Sequence, residues 1–171
     1  MRDNSNAWEY EMKTWLLIVA MMLPVAAMAY AGQEQDTKSQ VVYRKGSLKS
    51  FKGPAEYFTG DVQVDMLFPE NEKAQYSGAY VTFQPGARTN WHVHPAGQHM
   101  IVTKGVALTG TRDGKVIEFH EGETVWCPVG VDHWHGATPQ AAMMHLVITG
   151  SEDGKNVVWK EKVTDEQYGQ R

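Results

Sequence analysis

Beyond residue 51 the chain keeps no helical hydrophobic rhythm for longer than about ten residues. It is cut instead into short runs of β-branched and aromatic residues, separated by Gly, Pro, Asn and Asp. Runs of that length must pack as strands, and many of them in series point to an all-β sandwich or barrel in one domain. The expected strands are 61–67, 77–84, 91–94, 99–103, 107–111, 115–119, 123–127, 141–149 and 156–160. Arg112-Asp113-Gly114 marks a hairpin, because an Asp-Gly turn supplies the positive φ that a tight two-strand connection needs. Only 165–168 reads as a helical turn. There is no internal repeat and no low-complexity segment.

The start of the chain belongs to another category. Residues 15–31 read WLLIVAMMLPVAAMAYA, an apolar run that ends in Ala29-Tyr30-Ala31 and gives way to polar residues. An apolar stretch, a small-x-small site and a polar continuation are the order of a secretory signal peptide. Met1 to Thr14 carry more acidic than basic residues, whereas Met12-Lys13-Thr14 offers the positive start that export favours, so Met12 is the expected initiator. The expected layout is a signal peptide at 1–31, a flexible lead-in at 32–52 and the barrel at 53–171. The expected location is periplasmic or secreted, with membrane contact only through the export signal. A retained anchor is the alternative, but 17 apolar residues interrupted by Pro24 are marginal for a span.

Composition narrows the partners. Sixteen basic against twenty acidic residues give a net charge of −4 with no long run of one sign, which disfavours nucleic acid. One cysteine, Cys127, excludes an internal disulfide and a multi-cysteine zinc site, and reads as a buried apolar residue. Seven histidines are the unusual feature. His92 and His94 stand two apart, so on an extended strand both imidazoles leave one face. Gln98 follows a Pro-Ala-Gly turn and can return its side-chain carbonyl to the same point. The second group, His133-Trp134-His135, follows Pro128-Val129-Gly130 and turns back toward an interior. Three or more such donors converging would hold a divalent ion, and neutral imidazole suits Mn, Fe, Co, Ni, Cu or Zn.

These segments resemble the two motifs of the cupin superfamily. The first is Gly, five residues, His-x-His, three or four residues, Glu, six residues, Gly; here Gly86, His92, His94, Gln98 and Gly105 occupy those places. The second is Gly, five residues, Pro-x-Gly, two residues, His, three residues, Asn; here Gly122, Pro128, Gly130, His133 and Ala137 occupy them. Gln98 replaces the usual Glu, and Ala137 the usual Asn. A narrower resemblance links Gly53 to Asp61, Pro85 to Thr89, His133 to Ala137 and Val163 to Tyr168 with small single-domain bacterial cupins that include manganese-dependent hydroxynitrile lyases, which also carry that Gln. The resemblance implies a cupin β-barrel with one divalent metal, Mn(II) first and Fe(II), Zn(II), Ni(II) or Co(II) as substitutes, on His92, His94, Gln98 and His133. It implies a pocket lined by Ala79, Val81 and Thr149, with His145 near the substrate.

Neutral ligands would leave the ion's charge uncompensated and strengthen it as a Lewis acid. His145 lies in an apolar run whose alternation puts Met143, His145, Val147 and Thr149 on one face. There it reads as a neutral general base, or as a core histidine bonded to a neighbour. His135 reads as a pocket or supporting residue, and His99 and His120 as surface residues. Trp91, Trp126 and Trp134 read as core or as pocket wall. Arg88 would hold an anionic substrate or pair with a carboxylate. The expected activity is lyase-like C–C cleavage or formation on a small hydroxy or carbonyl compound. A metal-dependent dioxygenase or isomerase, and a non-catalytic small-molecule-binding cupin, are the rivals. Exposed sheet edges make a homo-oligomer an expectation.

Overall fold

The computed structural model describes residues 39–169. The apolar run at 15–31, the Met12 start and the export reading fall outside the described residues. Strands follow in the order β1 (Ser50–Lys52), β2 (Phe58–Thr59), β3 (Val62–Phe68), β4 (Tyr76–Phe83), β5 (Arg88–Thr89), β6 (His92–Val93) and β7 (Gln98–Lys104). β8 (Val106–Thr111), β9 (Val116–His120), β10 (Thr124–Cys127), β11 (His133–Ala137), β12 (Met143–Gly150) and β13 (Val158–Trp159) complete them, and α1 (Asp165–Gly169) closes the chain. One sheet runs β1-β3-β4-β12-β7-β10. The other runs β13-β6-β11-β5-β2, with β8 joined to β11 and β9 joined to β8.

Pairing in the first sheet sets the interior in rows, because residues opposite each other in an antiparallel ladder share a face. Thr149 pairs with Ser77 and with Gln98, and Gln98 pairs with Cys127. One step deeper, Val147 joins Ala79 and Met100. Deeper again, His145 joins Val81 and Val102, and Val81 joins Val64. This face, with Phe58, Phe83 and Met143, makes the main core. A second core forms on the opposite face of β8 and β11. There Leu108 and Trp134 pack with Trp91, Val163 and Tyr168, and the Tyr168 hydroxyl donates to the Ala137 carbonyl at 2.7 Å. The short α1 is therefore held by its buried aromatic residue and not by its own length.

The long strands lie where alternation placed them, and the Asp113-Gly114 turn joins β8 to β9 with Gly114 at φ 81°. Four strands have no counterpart among the expected ones. β2 and β5 are two residues each, too short to carry a period. β11 is buried along its whole length, so its sequence does not alternate. β1 pairs with β3 from Ser50, so ladder structure begins ahead of the boundary expected at residue 53.

Candidate active site

β6 and β11 lie side by side with His92 opposite His133, which aims both imidazoles into the same interior. Their ring centroids are 4.3 Å apart; His94, just past β6, lies 5.0 Å from His92 and 5.3 Å from His133. Gln98 opens β7 directly after Gly97, whose φ is 76°. A Cβ at Gly97 would lie 2.1 Å from the Trp126 indole, so glycine alone lets the chain turn here and deliver Gln98 inward.

Hydrogen bonding fixes the chemical form of each group. Nδ1 of His92 donates to the Asn90 carbonyl at 2.9 Å, that of His94 to Asn156 at 2.6 Å and that of His133 to Val131 at 3.0 Å. A carbonyl can only accept, so each proton sits on Nδ1 and each lone pair on Nε2. Gln98 Nε2 donates to Thr149 Oγ1 at 2.8 Å, which turns Oε1 the other way. Nε2 of His94, Nε2 of His133 and Oε1 of Gln98 are buried with no hydrogen-bond partner. Three acceptors without partners in one interior are costly unless something electropositive meets them. Backbone carbonyls holding the far nitrogen are the usual support of a metal-binding histidine. The donor set fits a divalent cation.

Electrostatics agree. Burial, followed by the neighbouring His133 and His94, holds His92 well below the usual imidazole range. Burial brings His94 down to about 4 and also lowers His133. The rings stay neutral, which a metal ligand requires.

His135 joins from β11, and ligand atoms of His92, His133 and His135 lie within 4.8 Å of one another. Its Nδ1 already faces His145 Nε2 at 3.2 Å, however, and burial together with His145 keeps it neutral. His145 is fully buried, is brought to about 4 by burial, and packs on Phe83 at 5.5 Å. It does not line the cavity beside the cluster. His135 does, and His145 contacts it from outside that cavity. His145 thus sits two rows below Gln98, on the far side of His135 from the metal-ligand candidates.

That cavity has a volume of about 330 Å³ and is mostly apolar, with Ala79, Val81 and Thr149 in its wall. Tyr57, Phe58 and Trp159 add an aromatic side not foreseen from the sequence; Trp159 stacks on Tyr57 at 4.9 Å and lies 4.9 Å from the His92 ring. Two expected pocket residues stand elsewhere. Trp134 is in the second core against Tyr168, because its neighbours His133 and His135 take the inward face. Arg88 points to the chain's end. It donates to Asp165 at 2.6 Å and to the Val163 carbonyl at 3.2 Å, so it pairs with a carboxylate and does not face the cavity. Trp91 is buried in the second core, while Trp126 and His99 meet at the surface with tilted rings 4.5 Å apart. Cys127 is buried, and burial pushes its thiol up to about 12.

Residues 79–149 match the Cupin domain family. Over 127 residues the chain is 53% identical to a protein from Granulicella tundricola named (R)-mandelonitrile lyase, covering 74% of this chain and 97% of that one. The chain belongs to the cupin family. A cupin-like protein of Thermotoga maritima has the same fold at a TM-score of 0.65 and 35% identity, over 75% of this cupin and 95% of that chain. A polyketide cyclase from Streptomyces resistomycificus shares the architecture at a TM-score of 0.60 and 17% identity, over 76% and 91%. At that identity only the barrel is common ground. In this cupin the aromatic wall is what sequence reading missed, and Trp159 carried the one available signal, an aromatic in an expected strand.

Proposed function

We propose that this cupin is a metal-dependent lyase that cleaves or forms the C–C bond between a small carbonyl compound and cyanide. The carrying observation is the set of buried, unpartnered acceptors on His94, Gln98 and His133, beside an apolar cavity of about 330 Å³. The relative named (R)-mandelonitrile lyase supports the choice of reaction. His92, His94, Gln98 and His133 would hold the ion, with manganese as the favoured metal. A divalent ion there supplies Lewis acidity, undiminished because all four ligands are neutral.

The rest falls to the chain's own residues. Tyr57, Phe58 and Trp159 hold an aromatic or aliphatic group away from water. His135, in the cavity wall, takes the hydroxyl proton of a cyanohydrin at its free ring nitrogen. His145 Nε2, 3.2 Å behind, accepts the proton that His135 Nδ1 gives up, so the pair moves charge without exposing it. The C–CN bond breaks with its electron pair leaving on cyanide, the hydroxyl carbon becomes the carbonyl, and the proton returns through His135 to give hydrogen cyanide. Export through residues 15–31 belongs to the same reading.

The test is racemic mandelonitrile with manganese-loaded protein. Release of benzaldehyde and cyanide, lost in His135→Ala and His145→Ala while metal content holds, is the expected result. Oxygen consumption with iron-loaded protein would move the site to a dioxygenase. Tight binding of small aldehydes without turnover would make it a binding protein.

A further inference from the structure

One residue of the imidazole cluster, His133, also borders a second space. A chamber of about 320 Å³ lies between β8, β9 and β10, and its wall contains His133, Thr109, Thr111, Ile117 and Cys127. No residue is shared between its lining and that of the apolar cavity, which takes His92, His94, Gln98 and His135. His92 and His133, whose rings lie 4.3 Å apart and point into one interior, thus each border a different space.

The two spaces differ in chemistry. The apolar cavity is walled by side chains such as Phe58, Val64, Met66 and Trp159. In the second chamber the Thr109 hydroxyl donates to the Trp134 carbonyl at 2.8 Å, and that of Thr111 to Asp113 at 2.6 Å. With their protons committed, both hydroxyl oxygens offer lone pairs to whatever passes. Asp113 and Lys115 at the rim bring opposite charges, so the chamber's polarity and not a net field sets what it admits. Ile117, Val125, Trp126 and Cys127 complete a wall of mixed polarity, in which an ion meets the Thr109 and Thr111 oxygens in place of part of its water, whereas apolar walls replace none of it.

We propose that the second chamber is the port by which a hydrated divalent cation reaches His133 and the cluster, leaving the apolar cavity to the organic substrate. This rests on the reading of the cluster as a metal centre. Ile117, 38% exposed at the chamber, can be changed without rebuilding the core.

Protein stripped with a chelator is mixed with cobalt(II), and uptake is followed by the visible absorption of the bound ion, a readout independent of turnover. Ile117→Trp should slow uptake about tenfold or more with the final cobalt content unchanged. Ile117→Ala should load at least as fast as wild type, and Met66→Trp, which narrows the apolar cavity, should load at the wild-type rate. Effects of opposite sign at one position distinguish a passage from a folding defect. Ile117→Trp loading at the wild-type rate, or Met66→Trp slowed in its place, overturns the port. A wild-type chain that takes up no cobalt would instead remove the metal centre itself.

Discussion

Thr149→Val removes one oxygen from the centre and keeps the side chain's shape. In the native chain Thr149 Oγ1 receives the Gln98 amide at 2.8 Å, in a place where both residues are buried. Without it the amide N–H has no acceptor, which costs about 1–3 kcal/mol. Gln98 then either carries that cost or turns, bringing N–H where Oε1 now faces the cluster. Turning replaces an acceptor with a donor and sets positive hydrogens toward the cation. Losing such a support weakens metal binding about 10- to 100-fold, or about 1.4–2.8 kcal/mol. Titration of stripped protein with manganese, in competition with a chromophoric chelator, measures this directly. Thr149→Val should bind within that range below wild type, and Thr149→Ser, which restores the acceptor, should return most of the affinity. Wild-type affinity in Thr149→Val would refute the idea that this hydrogen bond aims Gln98.

Acid should destabilise the metal-free protein before any catalytic effect is considered. His94 and His145 are brought to about 4 by burial, against 6.5 in an unfolded chain, so between these values the unfolded state binds more protons. Stability is thus fully present above pH 6.5 and falls as pH drops toward 4, by about 3 kcal/mol for each histidine; urea melts at pH 7.5 and 4.5 should show the loss, and His145→Gln should reduce it. At the chain's end, Arg88→Ala should cost about 2 kcal/mol, since a buried guanidinium holding the Val163 carbonyl and lying 4.7 Å over the Tyr168 ring is lost. Asp165→Ala should cost below about 1 kcal/mol, because that carboxylate is 97% exposed. Equal losses in thermal melts of the two variants would show that the ion pair, and not the packing of Arg88, holds the helix.

How much of this was legible depended on whether a residue's role is set by local spacing or by distant pairing. His92 and His94 face one way because strands alternate, and Gln98 follows at the offset a tight turn allows, so the candidate ligands could be read along the chain. The inward face of β12 was legible for the same reason. Depth was not. That His145 sits two rows below Gln98 follows from its pairing with Val81, a contact between strands far apart in sequence. Arg88 and Asp165 meet across most of the barrel sequence, and no local signal joins them. The cavity's aromatic side comes from Tyr57, Phe58 and Trp159, near the two ends of the barrel sequence, and forms only when β6 pairs with β13 and β5 with β2. β11 carries His133 and His135 yet hides as a strand, because burial on both faces erases alternation.

Metal content in a pair of single variants tests the ligand set most directly. His94 and His135 both lie beside His92 and His133, but only His94 leaves a buried nitrogen without a partner, while His135 is engaged with His145. Elemental analysis of protein purified without added metal should find about one equivalent of a divalent ion in wild type and in His135→Ala, and almost none in His94→Ala. A His94→Ala protein that keeps its metal while His135→Ala loses it would contradict the assignment.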